Sequence, residues 1–346
     1  MDTLLQELMN RVKIGARQTH DNMSVLCLLS ETQASTGFIS LDDALQNHGL
    51  RITEVSKNGS VPELAVVNPS EHMALLLDGE EIVGAKQNRA LNTTVLVAPK
   101  SKTKIPVSCV EMGRWHYSSK KFESRSRTMN ADMRKSKSMS VNEHLNRTGR
   151  FTADQGQVWY EIDRKYDRMC VDSTSTMAMS AIYESMKSPS EAYMKRFRPI
   201  TAQIGFIAMI EGKLAGMEMI NNYEVFAANH QKLVNSYVID ALEYYGNQTG
   251  LGVRSARSRS EKFLVGVGKS LVERRPSVSL GNDLRLGAPY ITGCGLEYEN
   301  EILHLSVFPK DQKKTREVVS SFSRASSRRK AGQPEEERPP DDIIID

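Results

Sequence analysis

Residues 77–94 read LDGEEIVGAKQNRALNTT, a run of hydrogen-bonding side chains set between the apolar stretches 73–77 and 95–98. Lys86 and Arg89 are suited to hold a phosphate or carboxylate, because an ammonium donates from a point and a guanidinium donates through a planar fork. Gln87, Asn88 and Asn92 carry the donors and acceptors that a ribose or a base edge requires. Glu80 and Glu81 can orient the arginine, chelate a cation or act as a general base. Asp78-Gly79 and Gly84 mark two turns, so the block is expected to fold as a tight hairpin presenting GAKQNR as an irregular arch. Gly84 permits a positive φ or a close approach of a ligand to the backbone. The same residues also admit a structural role, in which a polar network pins the arch and Arg89 is buried against carbonyls and Glu80 or Glu81.

A second constellation is CVEMGRW at 109–115. Alternation along a strand places Val107, Cys109 and Glu111 on one face and Ser108 and Val110 on the other. Glu111 at the strand end and Arg114 just beyond it can converge on the first block, with Trp115 as a stacking surface. The competing expectation is an exposed Glu111/Arg114 pair and a core tryptophan. Cys109 is not expected to be a nucleophile, since no histidine precedes His116 locally to serve as its base. In DQGQVW, Asp154 is expected to cap a helix, and Gln155 to pack more than to reach a ligand. The histidines are dispersed, without HxH or HExxH, so no transition-metal site is expected; a carboxylate-bound Mg²⁺ stays open.

These residues need a scaffold. RITEVS, ELAVVNP, MALLLDGEEIVGA, TTVLVAP and KIPVSCVEM read as consecutive strands separated by turn residues, which favours an antiparallel sandwich-like block over 20–113. A short helix is expected within 1–19, and FISLDDALQNHGL suggests another, started by Ser40 and stopped by Gly49. Segment 114–150 carries ten Lys or Arg against three acids, a net +7. It is expected to be an exposed excursion with helical pieces, opening a basic helical middle over 114–200. SPSEAYMKRF carries a serine/glutamate capping signal. From 201 to 309 a hairpin around EGK, a helix and further strands follow. That helix shows a stripe of Phe226, His230, Leu233, Tyr237, Ala241 and Tyr244, capped by Asn221 or Asn222, and is expected to be a core element. Strand blocks that alternate with helices without a regular βαβ period indicate an α+β fold. Residues 310–346, basic then acidic and proline-containing, are expected to be a disordered charged tail that a protein partner could engage.

The chain has 346 residues, 39% of them apolar, enough for a sizeable core. A net charge of +4 and a pI near 8.7 do not by themselves imply a nucleic-acid binder. The basic stretches, 114–150 and RSARSRSEK at 254–262, lack interleaved aromatics, so they are read as solvated loops and nucleic acid is disfavoured. No signal peptide and no membrane span are read, and the four cysteines are widely spaced, so a soluble cytoplasmic protein with reduced thiols is expected.

LLLDGEEIVGAKQNRALNTTVLV, IPVSCVEMGRW, DQGQVW, GKLAGMEMI and KLVNSYVIDALE, in this order and spacing, resemble the bacterial domain named for its association with ADP-ribosylglycohydrolase (ARG) and rhodanese-phosphatase-superfamily proteins. The resemblance spans roughly residues 20 to 309. It implies binding or processing of an ADP-ribose- or NAD-like nucleotide, on the company that the family's genes and domains keep, and it supplies neither a catalytic set nor a cofactor. Glu81 and Glu111 are therefore the candidate catalytic carboxylates. Glu80, Lys86, Gln87, Asn88, Arg89, Asn92, Arg114 and Trp115 are the candidate contacts to a small anionic ligand. The alternative is a non-catalytic protein-interaction domain with a structurally pinned polar arch.

Overall fold

The computed structural model describes residues 2–55, 62–114, 119, 121–172, 176–244 and 252–310, and within them the fold is α+β. The larger of its sheets has eight antiparallel strands in the order Lys13–His20, Met23–Leu29, Gln203–Ile210, Lys213–Ile220, Glu301–Pro309, Ile291–Tyr298, Asn282–Ala288, Leu271–Pro276. Its interior strand QIGFIAMI is almost continuously apolar because both faces are covered. On one face lies helix Tyr223–Glu243, packing Phe226, Leu233 and Tyr237 against Phe206 and Phe308. On the other lie helices Thr3–Arg11 and Val253–Gly268, which bring Leu5, Leu8, Leu264 and Val267 to Ile207 and Met217. The hairpin at EGK turns through Glu211 and Gly212, both at positive φ, as a two-residue connection between twisted strands requires.

A six-stranded antiparallel sheet carries the polar block, in the order Phe122–Thr128, Glu80–Gly84, Arg89–Leu91, Ser101–Cys109, Glu63–Asn68, Arg51–Glu54. Ile39–Ser40, Ala74–Leu76 and Val95–Val97 form a three-stranded sheet, and Glu111–Met112 pairs with Met177–Ala178. Helices Ala131–Thr148, Gln155–Arg168 and Met179–Ser185 bury Val141, Val158, Ile162 and Ile182 in a separate apolar cluster beside the block.

Several local readings hold. Ser40 caps its helix by accepting from Asp43 N, Asp154 accepts from Gln157 N, and Asn222 accepts from Val225 N. Others need correction. Met23–Leu29 pairs with Lys13–His20 on one side and with Gln203–Ile210 on the other, so the N-terminal strands share a sheet with the C-terminal hairpin. The basic segment is not an exposed excursion: it supplies an edge strand and an 18-residue helix whose Arg134 and Lys137 are buried. Residues 254–262 lie in a helix whose Ala256, Phe263, Leu264 and Val267 face the large sheet, not in loops. Helix Lys187–Arg196 starts without a side-chain cap bond, so the serine/glutamate signal there goes unused. The tail reading concerns 310–346, of which all but Lys310 lie outside the described residues.

Candidate functional site

The block folds through the two expected turns. Gly79 has φ +80°, donates its N–H to Leu91 O at 2.9 Å and accepts from Met129 N at 2.7 Å. A β-carbon there would stand 2.6 Å from the Arg134 side chain, so the glycine admits that buried arginine. Strand Glu80–Gly84 then pairs with Arg89–Leu91, Glu81 opposite Ala90 and Ile82 opposite Arg89. Between the strands the chain reverses through Gly84 at φ +124° and Ala85 at +41°, the second unusual for a residue with a β-carbon.

Alternation along the strand separates the two adjacent glutamates. Glu80 turns to the interior, where Lys232 donates to Oε1 and Leu77 N donates to Oε2 at 2.7 Å. The same ammonium reaches Asp42 Oδ2 at 3.1 Å. Glu81 faces the other way. It is 0% exposed, and neither carboxylate oxygen has a hydrogen-bond partner among the described residues. Burial pushes its pKa up to about 7; Arg127 opposes the rise, and the negative charges of Glu111 and Glu184 add to it.

Behind the arch, Arg89 is 0% exposed and donates from Nη1 to Gln87 Oε1 at 2.8 Å and to the Cys109 sulfur. The Cys109 thiol donates to the same Gln87 oxygen at 2.8 Å. Burial raises that thiol to about 11, against the pull of Arg89, so at neutral pH it is a thiol and not a thiolate. The Gln155 amide donates to Cys109 O and accepts from Cys109 N, both at 2.8 Å, which gives it the packing role expected of it. Asn92 is likewise turned inward, donating to Phe151 O at 3.0 Å and accepting from Ser108 at 2.8 Å.

The mouth of the arch brings together Gln87, Asn88, Glu111 and Arg114. Arg114 grips Glu111 with two nitrogens, Nε to Oε1 at 2.8 Å and Nη2 to Oε2 at 2.5 Å. Its remaining nitrogen, Nη1, donates to Ala85 O at 2.8 Å, while Nη2 also reaches Asn88 Oδ1 at 3.1 Å. Asn88 N donates to Glu111 Oε2 at 3.0 Å, and the Gln87 amide donates to Glu111 O at 3.0 Å. Burial alone would raise the Glu111 carboxyl, but the Arg114 and Asn88 hydrogen bonds outweigh it and hold the group below the usual carboxylate range. Glu81 and Glu111 are thus two carboxyls driven in opposite directions. Lys86 is half-buried at the arch tip, and Trp115 lies outside the described residues.

Sequence reasoning missed three partners of this region. Thr176 donates to Glu111 Oε1 at 3.3 Å. Arg127, whose charge acts on Glu81, lies over the Tyr183 ring at 5.7 Å and pairs with Glu184. The Tyr183 hydroxyl donates to Thr128 O at 2.6 Å. None of these carries a local motif, since each reaches the site from another element. Among the described residues, no three His, Cys, Asp or Glu side chains are grouped so as to hold a metal ion.

A family model described as the ARG and Rhodanese-Phosphatase-superfamily-associated Protein domain matches residues 11–308. No curated protein and no solved structure matches the chain.

Proposed function

We propose, from the premise that the chain belongs to the ARG and Rhodanese-Phosphatase-superfamily-associated Protein domain family, that the arch mouth binds an ADP-ribose- or NAD-like nucleotide and that Glu81 and Glu111 process it. The observation that carries this reading is Glu81, a fully buried carboxyl with no hydrogen-bond partner among the described residues and a pKa of about 7, beside an ionised Glu111. Carboxyls whose environments separate their pKa values in this way divide the roles of proton donor and anionic stabiliser. Lys86 and Arg114 are assigned to the phosphates, and Gln87 and Asn88 to hydroxyl or base groups. Arg114 Nη1 now holds Ala85 O, so an anionic ligand takes that nitrogen by displacing the arch tip. Arg89 and Asn92 hold the arch from behind, and Glu80 anchors it to Lys232.

A second reading is favoured by a specific observation: Arg89, Gln87, Asn88, Glu111 and Arg114 bond chiefly to one another, as they would in an arch whose task is to hold a protein-binding shape. Calorimetry and turnover assays with NAD and ADP-ribose separate the two. On the first reading Glu81→Gln keeps binding and loses turnover, whereas Arg114→Lys loses binding because an ammonium cannot reproduce the fork. Neither binding nor turnover in the wild type would leave the interaction-domain reading standing.

A further inference from the structure

Away from the arch, a cleft of about 570 Å³ opens where helix Tyr223–Glu243 begins, and no arch residue lines it. Phe38, Ile39, Met73 and Leu280 give it an apolar part of the lining, and Tyr298 adds an aromatic ring. The volume is in the range of small-molecule sites, and the cleft is open to solvent with a lining part apolar and part polar. One wall is held in place: Glu301 accepts from both the backbone and the hydroxyl of Ser35 and of Thr36, at 2.9 to 3.1 Å, just before Gly37 and Phe38 enter the lining.

The charge of the cleft is opposite to that of the chain. Glu71, His72 and Glu224 are its titratable acid and imidazole lining residues, and among the described residues no lysine or arginine lines it, although the whole sequence carries +4. Lys100 pairs with Glu71 at 3.0 Å across an exposed contact, and Glu224 is exposed with no ion pair among the described residues. The helix start adds a partial positive charge of about one half, and two of its N–H groups, those of Tyr223 and Val225, already donate to the Gln33 and Asn222 side chains. Two carboxylates in the lining, with Glu301 behind the wall, outweigh that half charge and Lys100 together. A phosphate-bearing ligand is disfavoured here.

We infer that this cleft is a binding site for a small organic cation, an apolar or aromatic body carrying one amine, with the body against the Phe38, Met73, Leu280 and Tyr298 lining and the amine at Glu224. The site is separate from the arch and does not depend on the function proposed there.

The test uses the full chain and matched probes: tryptamine, tyramine and agmatine as cations, and indole-3-acetate as the anionic partner of tryptamine. Binding is followed by calorimetry and by ligand-observed NMR. At least one amine should bind with a dissociation constant on the order of 0.1–1 mM, and indole-3-acetate should bind at least about tenfold more weakly than tryptamine. Glu224→Gln should weaken the amine by about five- to tenfold, and Tyr298→Ala should weaken it without restoring the anion. Glu224 is exposed, so its variant is expected to fold, and unchanged circular dichroism and melting would verify this. Failure of all three amines, equal binding of tryptamine and indole-3-acetate, or an unchanged affinity in Glu224→Gln would each overturn the assignment.

Discussion

Glu80 and Glu81 are consecutive, equally buried and of one residue type, yet they belong to two differently built regions. Glu80 belongs to an interior layer in which it, Asp78 and Glu218 each meet a cation from a distant element. Lys232 comes to it from 152 residues away, Lys137 to Asp78 from 59 and Arg134 to Glu218 from 84. Glu81 belongs to the arch side, where the partners are mainly neutral amides, carbonyls and a thiol beside the one Glu111/Arg114 pair, and its own carboxyl has no hydrogen-bond partner among the described residues. A paired buried charge ties elements together and is costly to break. A buried carboxyl left without a partner keeps its proton to near neutral pH, which is costly to stability and useful to proton chemistry.

The largest expected effect lies in the interior layer. Arg134 donates to Glu218 Oε1, Ser306, Ser236 and Met129 O at 2.7 to 3.2 Å. Arg134→Ala strips a buried carboxylate of its cation and should lower the unfolding free energy in urea by about 3–5 kcal/mol. A loss below about 1 kcal/mol would erase the contrast between the two regions.

The next effect is the pH dependence that Glu81 confers. Its folded pKa, about 7, stands above the unfolded value of 4.5. Between these values the native state binds more protons than the unfolded chain, so stability is full below the unfolded pKa and falls as pH rises toward 7. The shift corresponds to a loss of about 3 kcal/mol, in order of magnitude. Urea unfolding at about pH 5 and pH 8 should show this fall in the wild type and a markedly smaller one in Glu81→Gln. Parallel losses in both proteins would assign the pH dependence to other groups.

The smallest effect belongs to the arch tip. Lys86 is half-exposed, and Lys86→Ala should leave stability within about 0.5 kcal/mol while weakening the nucleotide affinity assigned to the mouth. A large stability loss here would place the tip with the interior layer.

What the sequence discloses about this molecule is its local chemistry. The turns at Gly79 and Gly84, the caps at Ser40, Asp154 and Asn222, and the EGK hairpin depend on residues within a few positions of one another. The stripe on helix Tyr223–Glu243 is legible for the same reason, and Phe226, His230, Leu233, Tyr237 and Ala241 are all buried. Outside that stripe the helix is less legible, because the burial of Lys232 and Asp240 depends on Glu80 and on Lys165, far along the chain. Arg134 and Lys137 are hidden in a segment whose net charge suggests solvent, because their acids, Glu218 on a strand and Asp78 in a turn, lie far away along the chain. Within the candidate site, the convergence of Glu111 and Arg114 on Gln87 and Asn88 could be anticipated from strand ends. The burial of Arg89 follows from the strand Arg89–Leu91, which the polar sequence QNRALN does not suggest.

The most direct measurement is a carbon-13 NMR titration of the Glu81 carboxyl with and without ADP-ribose, assigned by its loss in Glu81→Gln. An apparent pKa near 7 that moves upward when the anionic ligand binds is the predicted result, because added negative charge disfavours the carboxylate. A carboxyl that titrates near its ordinary 4.5, or one near 7 that ignores saturating ADP-ribose, would contradict the account.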